Sequence, residues 1–179
     1  MTQRLKAIPT TYHGIEFRSK LEAKYAQAFD RLGIVWEYEG HGFRFDDGTC
    51  YCPDFYMPEI DTYFEVKGVL DEESLRKIKL LVMEMKRVVV GGPDGSMTIY
   101  DFFNDVDNGY NPNGEIVENK GYLSVCEKCK KAHFSPSDWF VEACPNKEHD
   151  ESNCDMNHLW KWQEDHENVF EAAGWERGW

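Results

Sequence analysis

Two acids and a base lie close together in the stretch CPDFYMPEIDTYFEVKG, residues 52–68. Asp54 follows Pro53, and eleven residues later Glu65-Val66-Lys67 sets a second carboxylate one residue from an ammonium group. Carboxylates and backbone carbonyls are the hard oxygen ligands that Mg²⁺ takes, while it keeps several waters and accepts phosphate oxygens in its other positions. Asp54 and Glu65 are therefore candidate ligands for Mg²⁺ or Mn²⁺, with the Val66 carbonyl as a third. An ion held there would lower the pKa of a bound water and neutralise charge developing on a phosphorane-like transition state. Lys67 would orient that water or stabilise the same charge as a point cation.

Cysteines form a second constellation. Cys126-Glu-Lys-Cys129 is a two-residue-spaced knuckle, followed after fourteen residues by Cys144 and after nine more by Cys154. Paired thiolates at such spacing favour tetrahedral Zn²⁺, and four protein ligands would make the site structural. The second pair departs from the usual CxxC, so His149 is an alternative to Cys154, and His133 and His158 compete as well. A redox CxxC would have to open a helix in a thioredoxin-like setting. YLSVCEKCKKAHF reads instead as a β-hairpin. Cys50 and Cys52, which flank the acidic motif, read as small, half-buried fillers.

These groups need elements to position them. Ser19 with Glu22 three residues on is a capping-box pattern, apolar residues then recur at helical spacing through Leu32, and Gly33 supplies a stop; the pattern predicts a helix over 19–32. IVWEYE and FRF read as strands, and Asp47-Gly48 as a hairpin turn into TCYCPDFYM. TYFEVK reads as a strand that sends Thr62, Phe64 and Val66 to one face and Tyr63, Glu65 and Lys67 to the other, with Glu65 and Lys67 about 7 Å apart along it. DEESLRKIKLLVMEMKR reads as a helix with acids in its first turn and bases in its last. RVVV suits a buried strand, and MTIYDFF a last strand or edge. The Asn-, Asp- and Gly-rich run that follows reads as a linker. This divides the chain into a core over 1–103, a linker or long loop over 104–120, and a zinc module with a C-terminal helix packed on it over 121–179.

Helix, β-meander carrying Asp54, strand carrying Glu65 and Lys67, helix and strand is an order that resembles the PD-(D/E)XK nuclease superfamily, with Pro53-Asp54 as the PD and Glu65-Val66-Lys67 as the (D/E)XK. HGIEFRSKLEAKYAQAFDRLGI, YEGHGF, YCPDFYMPE and FEVKG look most like phage endonuclease I-type Holliday-junction resolvases. The resemblance covers roughly Tyr12 to Val90 and stops before the cysteine-rich part. It implies an α/β fold, with a restriction-endonuclease-like core of mixed central sheet flanked by helices. It also implies a Mg²⁺-dependent endonuclease acting on branched DNA as a homodimer. Such nucleases use a glutamate on the first helix as an additional active-site acid, and Glu22 stands at that place, which makes it a candidate catalytic residue and Mg²⁺ ligand; a capping box also accounts for it.

The net charge of −13 argues at first against a nucleic-acid partner. The charge is segregated, however: the first hundred residues hold 13 basic against 16 acidic side chains, so most of the excess belongs to the last 79. Arg18, Lys20, Lys24 and Arg44 are candidate contacts to backbone phosphates, which position a duplex without reading its bases. The acidic C-terminal half is a candidate surface for a protein partner. No apolar run approaches the roughly 18 residues of a membrane span, and the N-terminus lacks a signal-peptide core, so the expected location is the cytoplasm, that of the host if phage-encoded. Two rival readings remain: a catalytically silent nuclease-fold binding module, and a sequence-specific restriction-type nuclease.

Overall fold

The computed structural model describes residues 7–103, 115–125, 132–136 and 168–175. A small hairpin of β1 (Thr10–Tyr12) and β2 (Ile15–Phe17) leads into α1 (Lys20–Leu32). Then come β3 (Glu37–Tyr38), β4 (Phe43–Arg44), β5 (Cys50–Tyr51), β6 (Phe55–Met57), β7 (Thr62–Val66), α2 (Glu72–Met83), β8 (Arg87–Gly91), β9 (Met97–Phe103), β10 (Glu115–Val125), β11 (Ala132–Pro136) and a single turn, α3 (Val169–Ala172). Seven strands form one mixed sheet in the order β11-β10-β9-β8-β7-β6-β3. Only β7 and β8, joined through α2, run parallel in it. β4 and β5 make a separate hairpin closed through Asp47-Gly48, with the Thr49 amide donating to Asp47 at 2.9 Å.

The first helix forms where its local signals lie. The Ser19 hydroxyl accepts the Glu22 amide at 3.1 Å, and Gly33 takes the left-handed conformation, φ 68°, that an L side chain disfavours. Its inner face, Ala23, Tyr25, Ala26, Ala28 and Phe29, is fully buried. The alanines let the helix lie close to the sheet, while Phe29 meets Phe55 and Phe64 edge-on. On the opposite sheet face Ile78, Leu81 and Val82 of α2 pack against Tyr63, Val88, Val90 and Tyr100. Alternation in β7 holds as expected, with Phe64 and Val66 toward α1 and Tyr63 toward α2. Both faces are covered, so all five β7 residues are buried.

Several expectations need correction. α2 ends at Met83 and carries no base in its last turn; Met85 adopts φ 60°, Lys86 follows the turn, and Arg87 opens β8. β9 is an interior strand, because Glu115–Lys120 pairs along it in register Glu115↔Phe103 to Lys120↔Thr98. Residues 115–120, read as the end of a linker, are thus sheet. β10 continues into the hairpin with β11, and Leu123, Ala132 and Phe134 join the same core as Phe64. The C-terminal turn α3 packs on α1: Phe170 lies 4.7 Å from the Tyr25 ring, and Arg31 donates to the Ala173 carbonyl at 3.3 Å. Cys126, Cys129, Cys144, Cys154, His149 and His158 lie outside the described residues. No helix among the described residues is long and apolar enough to cross a membrane.

Gly91, at the end of β8, sits beneath the Tyr25 ring of α1 and beside Phe64 of β7. A Cβ there would fall 2.6 Å from ring atoms of Phe64 and Tyr25. Gly91→Ala is therefore expected to cost about 1–3 kcal/mol by overpacking. Urea unfolding checks this, and an unchanged midpoint contradicts it.

Candidate active site

The β6–β7 register explains the eleven-residue spacing of the acids. Phe55 pairs with Phe64, Tyr56 with Tyr63 and Met57 with Thr62. One further step along the hairpin sets Asp54 opposite Glu65. The two side chains interlock: the Val66 amide donates to Asp54 Oδ2 at 2.7 Å, and the Asp54 amide donates to Glu65 Oε2 at 3.3 Å. Each carboxylate is held by the backbone beside the other. Asp54 is 2% exposed and Glu65 4%.

Around this pair the polar groups are mutually satisfied. Lys67 lies just past β7, where its amide donates to the Gly91 carbonyl, and its Nζ sits 2.7 Å from Glu65 Oε1. Tyr51, buried on β5, donates to Glu65 Oε2 at 2.9 Å. Arg18, just before α1, reaches Asp54 Oδ1 at 2.5 Å and Glu39 Oε1 at 2.9 Å. Arg18, Tyr51, Asp54, Glu65 and Lys67 line one cavity of about 390 Å³, together with Glu22, Cys50, Cys52, Ser74 and Lys77.

Glu22 belongs to the cavity wall but is engaged elsewhere. Its Oε1 accepts Ser19 Oγ at 2.6 Å, and its Oε2 accepts Tyr38 Oη at 2.6 Å and the Arg18 amide at 3.2 Å. Capping accounts for the Ser19 contact, whereas Tyr38 reaches Glu22 from β3. Among the described residues no group of three or more His, Cys, Asp or Glu is gathered to hold a metal ion. The structure thus brings Asp54, Glu65, Val66 and Lys67 into direct contact, with Glu22 lining the same cavity and its charge adding to the rise of the Asp54 pKa.

The remaining basic candidates are dispersed. Lys20 and Arg44 are exposed. Lys24 stacks over Phe170, its Nζ 3.7 Å from the ring centre, and burial, then Lys20, lower its pKa. Arg18 lies inside the carboxylate cluster. Tyr51, Tyr38, Ser74 and Lys77 are site residues that the sequence pattern does not single out. Their one local signal is the run of bases Arg76, Lys77 and Lys79, of which only Lys77 lines the cavity.

Burial pushes the Asp54 carboxyl up to about 7, reinforced by the charge of Glu65, while the Val66 amide and Arg18 work against the rise. Burial opposes the charge on Lys67, yet Glu65 and then Asp54 raise it overall, so the ammonium persists. Arg18 is likewise raised despite burial, chiefly by Asp54. The Asp54 shift has a defined sign. Between the unfolded carboxylate value of about 3.9 and the raised folded value, the folded chain holds a proton that the unfolded chain has released. This contribution to stability is lost as pH rises through that window. With EDTA present, the thermal midpoint of the native chain relative to Asp54→Asn is expected to fall between about pH 4 and pH 8. A flat difference contradicts the shift.

Two interlocked, buried carboxylates are the donor type that Mg²⁺ and Mn²⁺ take with few protein ligands. A lysine on one of them and an arginine on the other add cationic groups suited to a phosphate. Compared with models of known protein families and with curated proteins, the sequence matches none.

Proposed function

We propose that this cavity hydrolyses DNA phosphodiesters with the help of a divalent cation, as the resemblance to PD-(D/E)XK nucleases implies. The observation that carries the reading is the Asp54–Glu65 interlock with Lys67 at 2.7 Å. Asp54 and Glu65 would hold Mg²⁺ or Mn²⁺, with the Val66 carbonyl as a third donor. The ion supplies an acidified water and charge neutralisation at the phosphate. Lys67 keeps its proton through Glu65 and presents a point cation to the attacking water or the developing charge. Tyr51 and the Asp54 amide fix Glu65, so that the carboxylate meets substrate already oriented. Glu22, on the wall of the same cavity, would be the additional acid of the first helix, and it also holds the start of α1 and, through the Arg18 amide, the root of the guanidinium.

The same proposal extends to the rest of the chain. Cys126, Cys129, Cys144 and either Cys154 or His149 would bind a structural Zn²⁺. The substrate would be branched DNA, cut by a homodimer that carries two such cavities. Linear, nicked, flapped and four-way DNA, each with Mg²⁺ or EDTA, test the reading. Mg²⁺-dependent cleavage of the branched forms supports it. Binding without cleavage of any form favours the silent binding module, and discrete bands from long linear DNA favour a restriction-type nuclease.

A further inference from the structure

Arg18 is tied to the site in two separable ways. Its backbone is fixed at the entry to α1, where its amide donates to Glu22 Oε2 at 3.2 Å. Its side chain is 58% exposed, yet the guanidinium contacts Asp54 Oδ1 at 2.5 Å and Glu39 Oε1 at 2.9 Å. The other Asp54 oxygen is taken by the Val66 backbone at 2.7 Å. Of the two Asp54 oxygens, Oδ1 is therefore the one held by a displaceable side chain.

A dication and a guanidinium on one carboxylate oxygen repel each other, so that each weakens the binding of the other. A guanidinium displaced at the wall of a phosphate-sized cavity has a natural second ligand, because its planar fork matches phosphate as well as carboxylate. Glu39, 37% exposed at its side chain, keeps a hold on Arg18 when Asp54 is given up. We infer that Arg18 is an exchangeable counter-ion: it neutralises Asp54 until a divalent cation binds there, then moves to a phosphate of the DNA. Metal and DNA binding are thereby coupled, and the coupling is reciprocal. The inference rests on the metal-binding reading of Asp54 and Glu65 proposed above.

Mn²⁺ titration calorimetry on the full chain tests it without relying on cleavage. In the absence of DNA, Arg18→Ala is expected to bind Mn²⁺ on the order of tenfold more tightly than the native chain, and Arg18→Lys to fall between them. Adding a short DNA duplex should tighten Mn²⁺ binding to the native chain and leave Arg18→Ala unmoved. Arg18→Met keeps the apolar stem and is read in parallel, so that early melting of the alanine variant does not decide the outcome. Native binding with unchanged or weaker Mn²⁺ affinity in both the alanine and methionine variants overturns the exchange. Absence of Mn²⁺ binding in every chain overturns the metal reading beneath it.

Discussion

Asp54→Asn is expected to lower turnover on branched DNA by about a thousandfold or more, while the chain stays folded. Asparagine keeps the shape of the side chain, and its carbonyl can still accept the Val66 amide that Asp54 holds at 2.7 Å. What it removes is the negative charge on the proposed metal donor. Its amide nitrogen would also face Arg18, where Asp54 now offers an oxygen at 2.5 Å. The fold tolerates the change because burial and Glu65 already disfavour the charge on Asp54. Folding stability at neutral pH should therefore equal or exceed the native value. Cleavage assays with Mg²⁺, set beside urea unfolding, check both halves. Retained activity removes Asp54 from the chemistry, whereas lost activity with a collapsed fold assigns it to structure alone.

Lys67→Ala should separate turnover from affinity. Its ammonium contacts Glu65 Oε1 at 2.7 Å, and its side chain is 29% exposed, open to the cavity it lines. A cation placed to meet charge that develops only in the transition state contributes little to binding the ground state. The expected loss is about 10²–10³ in kcat. DNA affinity, measured with Ca²⁺ replacing Mg²⁺, should change by no more than about threefold, because one phosphate-type contact among many contributes little alone. A parallel collapse of affinity would make Lys67 a DNA anchor rather than a group acting on the transition state.

The features legible in the sequence are those set by near neighbours. Ser19, Glu22 and Gly33 bound α1 through contacts within a few residues, and the alternation of TYFEV survives because each face meets its own helix. The Asp54–Glu65 pairing was legible for a similar reason: a short hairpin converts spacing along the chain into register across it. Arg18 was not, since Asp54 lies 36 residues away and nothing local distinguishes a phosphate contact from a carboxylate partner. In the sequence Tyr51 reads only as a strand residue, because its hydroxyl gains meaning only when β5 brings it to Glu65. The place of β9 depended on a strand beyond the Asn- and Gly-rich run, whose composition suggested a boundary. α3 likewise takes its position from Tyr25 and Lys24, more than a hundred residues earlier in the chain.

Glu22 shows how one residue type satisfies two descriptions. The capping pattern and the resemblance both single it out, and its reciprocal contacts with Ser19 realise the first. Glu22 also faces the cavity directly: its charge raises the Asp54 pKa, and the Arg18 Nε stands 3.9 Å from its Oε2.

The central claim is that Asp54 and Glu65 share one hard divalent cation. The most direct measurement is an anomalous difference map from crystals of the full chain equilibrated with saturating Mn²⁺. The account predicts a single strong peak about 2.2 Å from an oxygen of each carboxylate, with the Arg18 guanidinium moved off Asp54 Oδ1. A map with no peak between the two carboxylates, and Arg18 still seated on Asp54, would contradict it.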